Sequence, residues 1–266
     1  MEGCNSSNSS ETNSPCGLIS VVGTGIGSTE NMTPQAVKAL AGADVIIGYK
    51  TYLDLIPELL EGKEVITSAM MQEVDRCNKS FDLAESGKNV SLVSGGDPGI
   101  YAMAGLVLEI AAKRNSKVKV DVVPGIAAVN GCAARLGAPL MHDFAAISLS
   151  DLLTPWEMIE KRLDAAASAD FVIALYNPKS KKRTEHIVKA REIILSYRAK
   201  ETPVGIVTAA SRENEVIRLT TLERMLEEDI NMQSTVIVGN STTFSWNGYM
   251  ITPRGYKDKY KLDKSP

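Results

Sequence analysis

The stretch NVSLVSGGDPGIYAMAG, Asn89 to Gly105, holds in seventeen residues the unit from which the chain is built. An apolar, β-branched run ends in two glycines, an aspartate and a proline, and a helical pattern over Ile100–Lys113 follows. That order predicts a strand, a tight turn and a helix, which is half of a β-α-β repeat. Upstream, LISVVG, ADVIIG and KEVITS read as strands, with helical patterns over Thr33–Ala41 and Gln72–Ser86; downstream, KVKVDVV reads as the next strand. The rhythm predicts an α/β protein with parallel, helix-covered sheet.

The pattern pauses at RLGAPLMHDF, Arg135 to Phe144, then resumes with AAISLS, DFVIALY, PVGIVTA and STVIVG as strands. Helices are expected from Pro155 (with Thr154 as N-cap), from Thr184 and near Leu222. Two α/β domains follow, 17–138 and 139–256, between tails at 1–16 and 257–266. The first sixteen residues are rich in Ser and Asn, lack the apolar core of a signal peptide, and read as disordered.

With 266 residues, 44% hydrophobic and 23% charged, the composition is that of a soluble globular protein. A net charge of -3 argues against a chain-wide affinity for nucleic acid, and no apolar run reaches membrane-spanning length. The four cysteines form no C-x-x-C pair, and Cys132 to His142 is not a zinc spacing, so reduced thiols, a cytoplasmic location and no built-in metal are expected.

Five motifs carry the candidate chemistry. In SVVGTGIGSTENMT the glycines Gly23, Gly25 and Gly27 follow a strand. Ser28 breaks the G-x-G-x-x-G spacing, and no acidic residue ends the second strand, which counts against a dinucleotide site. Gly95, Gly96, Asp97 and Pro98 sit at a strand's carboxyl end, where open α/β sheets bind ligands; Asp97 either receives a ligand amine or caps the following helix. In VVPGIAAVNG, the small residues Ala127 and Ala128 allow close helix packing or a flat group over the helix start. His142 and Asp143 adjoin, with Ser148, Ser150 and Asp151 after them, as a proton-moving group or a solvated linker. ALYNPKSKKRTEH places Tyr176 and Asn177 at a strand end before Lys179, Lys182 and Arg183, an anion landing site or a soluble basic face.

Taken in order, GTGIGSTENMT, GGDP, PGIAA and LYNP resemble the tetrapyrrole methylases, S-adenosyl-L-methionine-dependent enzymes of sirohaem and cobalamin synthesis, over residues 17 to 256. GAPLMHDFAAISLSDLLTPWEMIEKRL, FVIALYNPKSKKR and STVIVGNS are similar to one branch of that family, which methylates carbon 17 of precorrin-3B or cobalt-factor III. Another precorrin or cobalt-precorrin methyltransferase of the pathway is the alternative; a nicotinamide oxidoreductase and a non-catalytic tetrapyrrole carrier are more distant ones.

The resemblance implies two αβα domains with a cofactor cleft between them, a homodimer, and a polycarboxylate tetrapyrrole substrate. It assigns the cofactor to Ile26, Gly95, Gly96, Asp97, Ile100, Ala127, Ala128, Tyr176 and Asn177, with Thr208, Ala209, Ser234 and Thr235 after them. Ile26 stands where many members carry proline. Substrate carboxylates would meet Arg135, Lys179, Lys182, Arg183 and Arg212, arginine being suited to bidentate pairing. The carbon-17 branch adds a ring contraction after methylation, whose proton movement falls to His142 and Asp143 in this reading.

Overall fold

The computed structural model describes residues 16–69 and 71–260; of the tails expected at 1–16 and 257–266, residues 1–15 and 261–266 lie outside the described residues, while 257–260 fall in a short helix, Tyr256–Tyr260, instead of a tail. Two compact units result: one takes the chain up to Gly23 and Thr33–Gly125, the other Thr24–Met32 and the chain from Ile126 onward.

In the first unit β1 (Leu18–Gly23), α1 (Pro34–Ala41), β2 (Val45–Tyr49), the short α2 (Lys50–Leu53), β3 (Glu64–Ser68), α3 (Glu73–Glu85), β4 (Val90–Ser94), α4 (Met103–Arg114) and β5 (Lys119–Val123) follow one another. All strands are parallel in the order β3-β2-β4-β1-β5. The central strands are buried almost throughout, as expected where helices cover both faces, whereas the edge strands β3 and β5 are partly exposed. Ile19, Val21, Ile47 and Leu92 pack on Phe81 and Cys77 of α3 and on Val107 of α4. Thr33 caps α1 by accepting the Ala36 N–H, and Pro34 opens that helix.

The second unit runs α5 (Ala128–Leu136), β6 (Gly137–Ala138), β7 (Phe144–Ser148), α6 (Trp156–Ser168), β8 (Val172–Tyr176), α7 (Glu185–Leu195), β9 (Pro203–Thr208), β10 (Val216–Thr221), β11 (Ser234–Val238), β12 (Phe244–Trp246), β13 (Tyr249–Ile251) and α8 (Tyr256–Tyr260). Its main sheet has the order β10-β9-β11-β8-β7, and here the parallel reading fails. Only β7 and β8 pair in parallel; β11 is antiparallel to β8 and β9, and β10 to β9. The helix expected near Leu222 is replaced by the edge strand β10 and a single 3₁₀ turn, Met225–Glu227. VIRLTT is rich in β-branched residues and needs only one neighbour, so it extends the sheet as a hairpin. The two faces alternate along β8: Ile173 and Leu175 meet α6 and α7, while Val172 and Ala174 meet Val129, Cys132 and Leu136 of α5. Pro155 occupies the N-cap of α6 rather than its first turn, without a side-chain cap from Thr154. A small second sheet, β12-β13-β6, ends the unit.

Candidate functional site

In the first unit the carboxyl ends of β1, β4 and β5 lie along one sheet edge, and their loops meet there. A Cβ on Gly23 would sit 2.7 Å from both the Gly96 carbonyl and the Gly125 nitrogen; one on Gly125 would sit 2.2 Å from the Gly96 carbonyl. The bareness that suggested a ligand is therefore demanded first by three backbones packed on one another. Gly96 also has φ +69°. Asp97 is half-buried and uses both oxygens locally: Oδ1 accepts the Gly99 N–H at 2.8 Å and Oδ2 the Gly125 N–H at 3.2 Å. It does not cap α4, which starts at Met103 with Ala102 as N-cap, later than the sequence pattern indicated. Between them, Tyr101 adopts φ 52°, the left-handed conformation that costs a non-glycine residue about 1 kcal/mol or more. Ile100 and Tyr101 turn large apolar surface outward, 38% and 54% exposed, beside this bare backbone. Exposed apolar side chains beside a rigid, bare turn suit a ligand with a flat ring.

In the second unit direction decides which residues gather. Because β9 and β8 both oppose β11, the carboxyl ends of β7, β8 and β9 share an edge with the amino end of β11. That edge collects Tyr176, Asn177, Thr208, Ala209, Ser234 and Thr235. The Tyr176 hydroxyl accepts the Val129 N–H at 2.9 Å in the first turn of α5, tying Ala127 and Ala128 to β8. Ile26 joins them, its side chain 2.5 Å from where a Cβ on Gly131 would lie. The Thr208 and Ser234 hydroxyls are buried and pair at 2.7 Å. Thr235 hydrogen-bonds the thiol of Cys132, which burial pushes up to about 11, an inert structural cysteine. These hydroxyls therefore serve the fold. Asn177 and Ala209, each the first residue past its strand, both take positive φ, 49° and 51°. Asparagine adopts this conformation readily, so the strain falls on Ala209.

The basic residues divide. Arg183 donates to the Asn177 carbonyl at 2.7 Å and to Ser150 Oγ at 3.4 Å, while Asn177 Nδ2 donates to Ser148 Oγ at 3.0 Å. Arg183 thus holds the Asn177 loop in shape. Arg135 pairs with Glu215 at 2.9 Å and donates to Ser211 Oγ. Arg212 lies half-buried between the left-handed Ala209 and Ser211, forms no ion pair among the described residues, and leaves Nε buried and unpartnered. Lys179 is half-buried and Lys182 exposed; neither forms an ion pair among the described residues.

His142 and Asp143 are not brought to this edge. They precede β7, so they stand at its amino end, five residues at roughly 3.3 Å each, or about 16 Å, from Ser148. Asp143 donates its N–H to His142 Nδ1 at 2.8 Å, and both line a cavity of about 320 Å³ with Asp170, Asn240 and Arg254. The other histidine, His186, which the motif reading passed over, does lie on the ligand-side edge: Nδ1 faces the Leu149 carbonyl at 2.9 Å and Nε2 faces Asp151 at 3.6 Å. No local signal links residues thirty-five apart. Among the described residues there is no cluster of three metal-ligating side chains, and no helix is long and apolar enough to cross a membrane.

Residues 18–226 match the family model of the tetrapyrrole (corrin/porphyrin) methylases. A cobalt-factor III methyltransferase of Priestia megaterium is 51% identical over 94% of this chain, which spans 47% of that relative's length. A probable cobalt-factor III C(17)-methyltransferase of Salmonella typhimurium is 50% identical over 90% of this chain and 99% of its own. Among solved structures, the methyltransferase CobJ superposes with a TM-score of 0.84 at 35% identity, over 89% of this chain and 100% of its own. The chain thus spans about half of one curated relative and nearly all of another.

Proposed function

The chain belongs to the tetrapyrrole (corrin/porphyrin) methylases, and on that footing we propose that it transfers a methyl group from S-adenosyl-L-methionine to carbon 17 of cobalt-factor III. The observation that carries the reading is the 50% identity with the Salmonella protein, which runs through almost the whole of both chains. Geometry adds support within each unit. The Gly95–Asp97 turn offers a bare, rigid backbone beside Ile100, and the second unit's edge offers the positive-φ residues Asn177 and Ala209 beside Ile26, Ala127 and Ala128. These are the residues we assign to the donor; the buried hydroxyls of Thr208, Ser234 and Thr235 and the phenol hydroxyl of Tyr176 hold them in place.

The chemistry asks chiefly for alignment. A sulfonium methyl is displaced in line by an electron-rich ring carbon, and holding donor and acceptor in attack geometry accounts for about 7–11 kcal/mol of barrier in well-organised cases. The substrate's carboxylates are assigned to Arg212, Lys179 and Lys182, which form no ion pair among the described residues; Arg135 is engaged with Glu215, and the Arg183 NH groups with Asn177 and Ser150, so both act by supporting loops. A homodimer and a cytoplasmic location complete the reading.

Incubation with methyl-labelled donor and a set of cobalt-loaded and metal-free precorrins, followed by mass analysis, tests it. One added methyl on carbon 17 of cobalt-factor III is expected. Label appearing on another carbon or another substrate alone transfers the chain to a sister activity of the pathway.

A further inference from the structure

His142 and Asp143 take no part at the Asn177 edge, yet they line a cavity of about 320 Å³, a size at the low end of small-molecule sites. It lies at the opposite edge of the second unit's main sheet. Because β11 runs against β8, its carboxyl end meets the amino ends of β7 and β8 there. Asp170 before β8, the Asn240 loop after β11 and Arg254 after β13 supply the other polar walls.

Asn240 is 4% exposed and sits on a fastened loop. Its N–H donates to Thr243 Oγ1 at 2.9 Å, and its Oδ1 accepts the Thr242 N–H at 3.0 Å and the Thr242 hydroxyl at 2.9 Å. A backbone N–H can only donate, so Oδ1 is fixed as the acceptor and the Nδ2 amide, with two hydrogens, points away from the loop. Nδ2 has no partner among the described residues, and it is not sealed from solvent. A side chain this buried meets solvent where it lines the cavity.

Two more donors stand around the same space. His142 Nδ1 accepts the Asp143 N–H at 2.8 Å, so the neutral ring carries its hydrogen on Nε2. The Asp143 carboxylate is 3.5 Å from Nδ1, on the lone-pair side, and leaves that Nε2–H unused. Arg254 is exposed and forms no hydrogen bond or ion pair among the described residues. The acids do not cancel it. Asp170 is already engaged by the Ser241 hydroxyl at 2.6 Å, the Ser241 N–H at 3.0 Å and the Arg198 guanidinium at 3.1 Å. Asp143 turns 79% of its side chain to solvent, where its charge is screened.

We propose that this cavity binds a small oxyanion, a carboxylate or phosphate group on a molecule of metabolite size. Asn240 Nδ2 and His142 Nε2 donate to its oxygens, and the Arg254 guanidinium pairs with its charge, in the fork geometry that suits both groups. The site is separate from the residues assigned to the donor and does not depend on which carbon is methylated.

The chain holds two histidines, so the ring C–H resonances of His142 can be followed beside those of His186, with His142→Gln giving the assignment. The full chain is titrated near neutral pH with succinate and, separately, with inorganic phosphate, against sodium chloride at matched ionic strength. One charge-assisted and two neutral hydrogen bonds should give saturation with a Kd on the order of 1 mM. His142 should shift while His186 stays, and the anion that saturates the shift names the group as carboxylate or phosphate. Arg254→Gln, at an exposed position, should weaken binding about tenfold or more; Asn240→Asp, equal in shape but anionic, should abolish it. The Kd for S-adenosylhomocysteine should stay within about twofold when the anion is present. No saturable shift with either anion, a shift that chloride reproduces, or one that Arg254→Gln leaves intact overturns the proposal. So does an anion that moves His186 or competes with S-adenosylhomocysteine, because it then binds at the other edge.

Discussion

Replacing Gly125 by alanine tests the idea that the glycines of the first unit exist for loop-on-loop packing. The new Cβ would lie 2.2 Å from the Gly96 carbonyl oxygen and 2.8 Å from the Gly23 carbonyl carbon and oxygen, all rigid backbone. Ordinary contact begins near 3.4 Å, so one loop must retreat by about an ångström, which overpacking studies place at roughly 1–3 kcal/mol. The retreat also pulls the Gly125 N–H from Asp97 Oδ2, now at 3.2 Å, a bond to a charged group of about 1.5 kcal/mol in net terms. A total of about 3 kcal/mol lowers the melting temperature of a chain this size by roughly 6–12 °C. Scanning calorimetry measures it, with Gly105→Ala as the control. Gly105 lies within α4 with nothing within 4 Å of a new Cβ, and alanine there should stabilise by up to about 1 kcal/mol. A Gly125→Ala protein that melts within a degree of the parent would refute the packing argument and return these glycines to ligand approach alone.

Two further outcomes follow from the same contacts. Asp97→Asn keeps an Oδ1 acceptor for Gly99, so a loss of S-adenosylhomocysteine affinity by calorimetry at unchanged melting temperature would place the carboxylate on the donor, whereas unchanged affinity would leave it the turn-fastener seen in its hydrogen bonds. At Asp170, burial alone would raise the carboxyl group, but the Ser241 hydroxyl and N–H together with the Arg198 guanidinium outweigh it and hold the group below its usual value. A depressed carboxylate contributes stability above its unfolded value, near 3.9, and loses it as pH falls through the folded one. The parent should therefore lose melting temperature more steeply than Asp170→Asn below about pH 4, and parallel curves would remove Asp170 from the acid response.

Much of the fold was legible because its signals are local. LISVVG, NVSLVS and STVIVG became β1, β4 and β11 within a residue or so, since a strand buried on both faces is a short run of β-branched and other apolar residues broken only by small hydroxyl side chains. Family membership was legible for a related reason: turn chemistry at strand ends is written in short runs such as GGDP and LYNP. Illegible were the features set by partners distant in sequence. VIRLTT is rich in β-branched residues, but nothing in it says that it pairs antiparallel at a sheet edge until β9 stands beside it. The site residues divide likewise. Tyr176 and Asn177 were visible as a strand end, but that their edge is shared with Ser234 and not with His142 depends on β11 running against β8.

By itself the sequence determined the element types, the family and the glycine-rich turns, because hydrophobic period and turn geometry act over a few residues. Tertiary structure alone decided that residues 24–32 group with the second unit, that His142 sits at the far end of β7 from Ser148, and that His186 comes to Asp151. Strand direction and the pairing of distant segments fix those three facts, and neither is encoded in any window short enough to read along the chain.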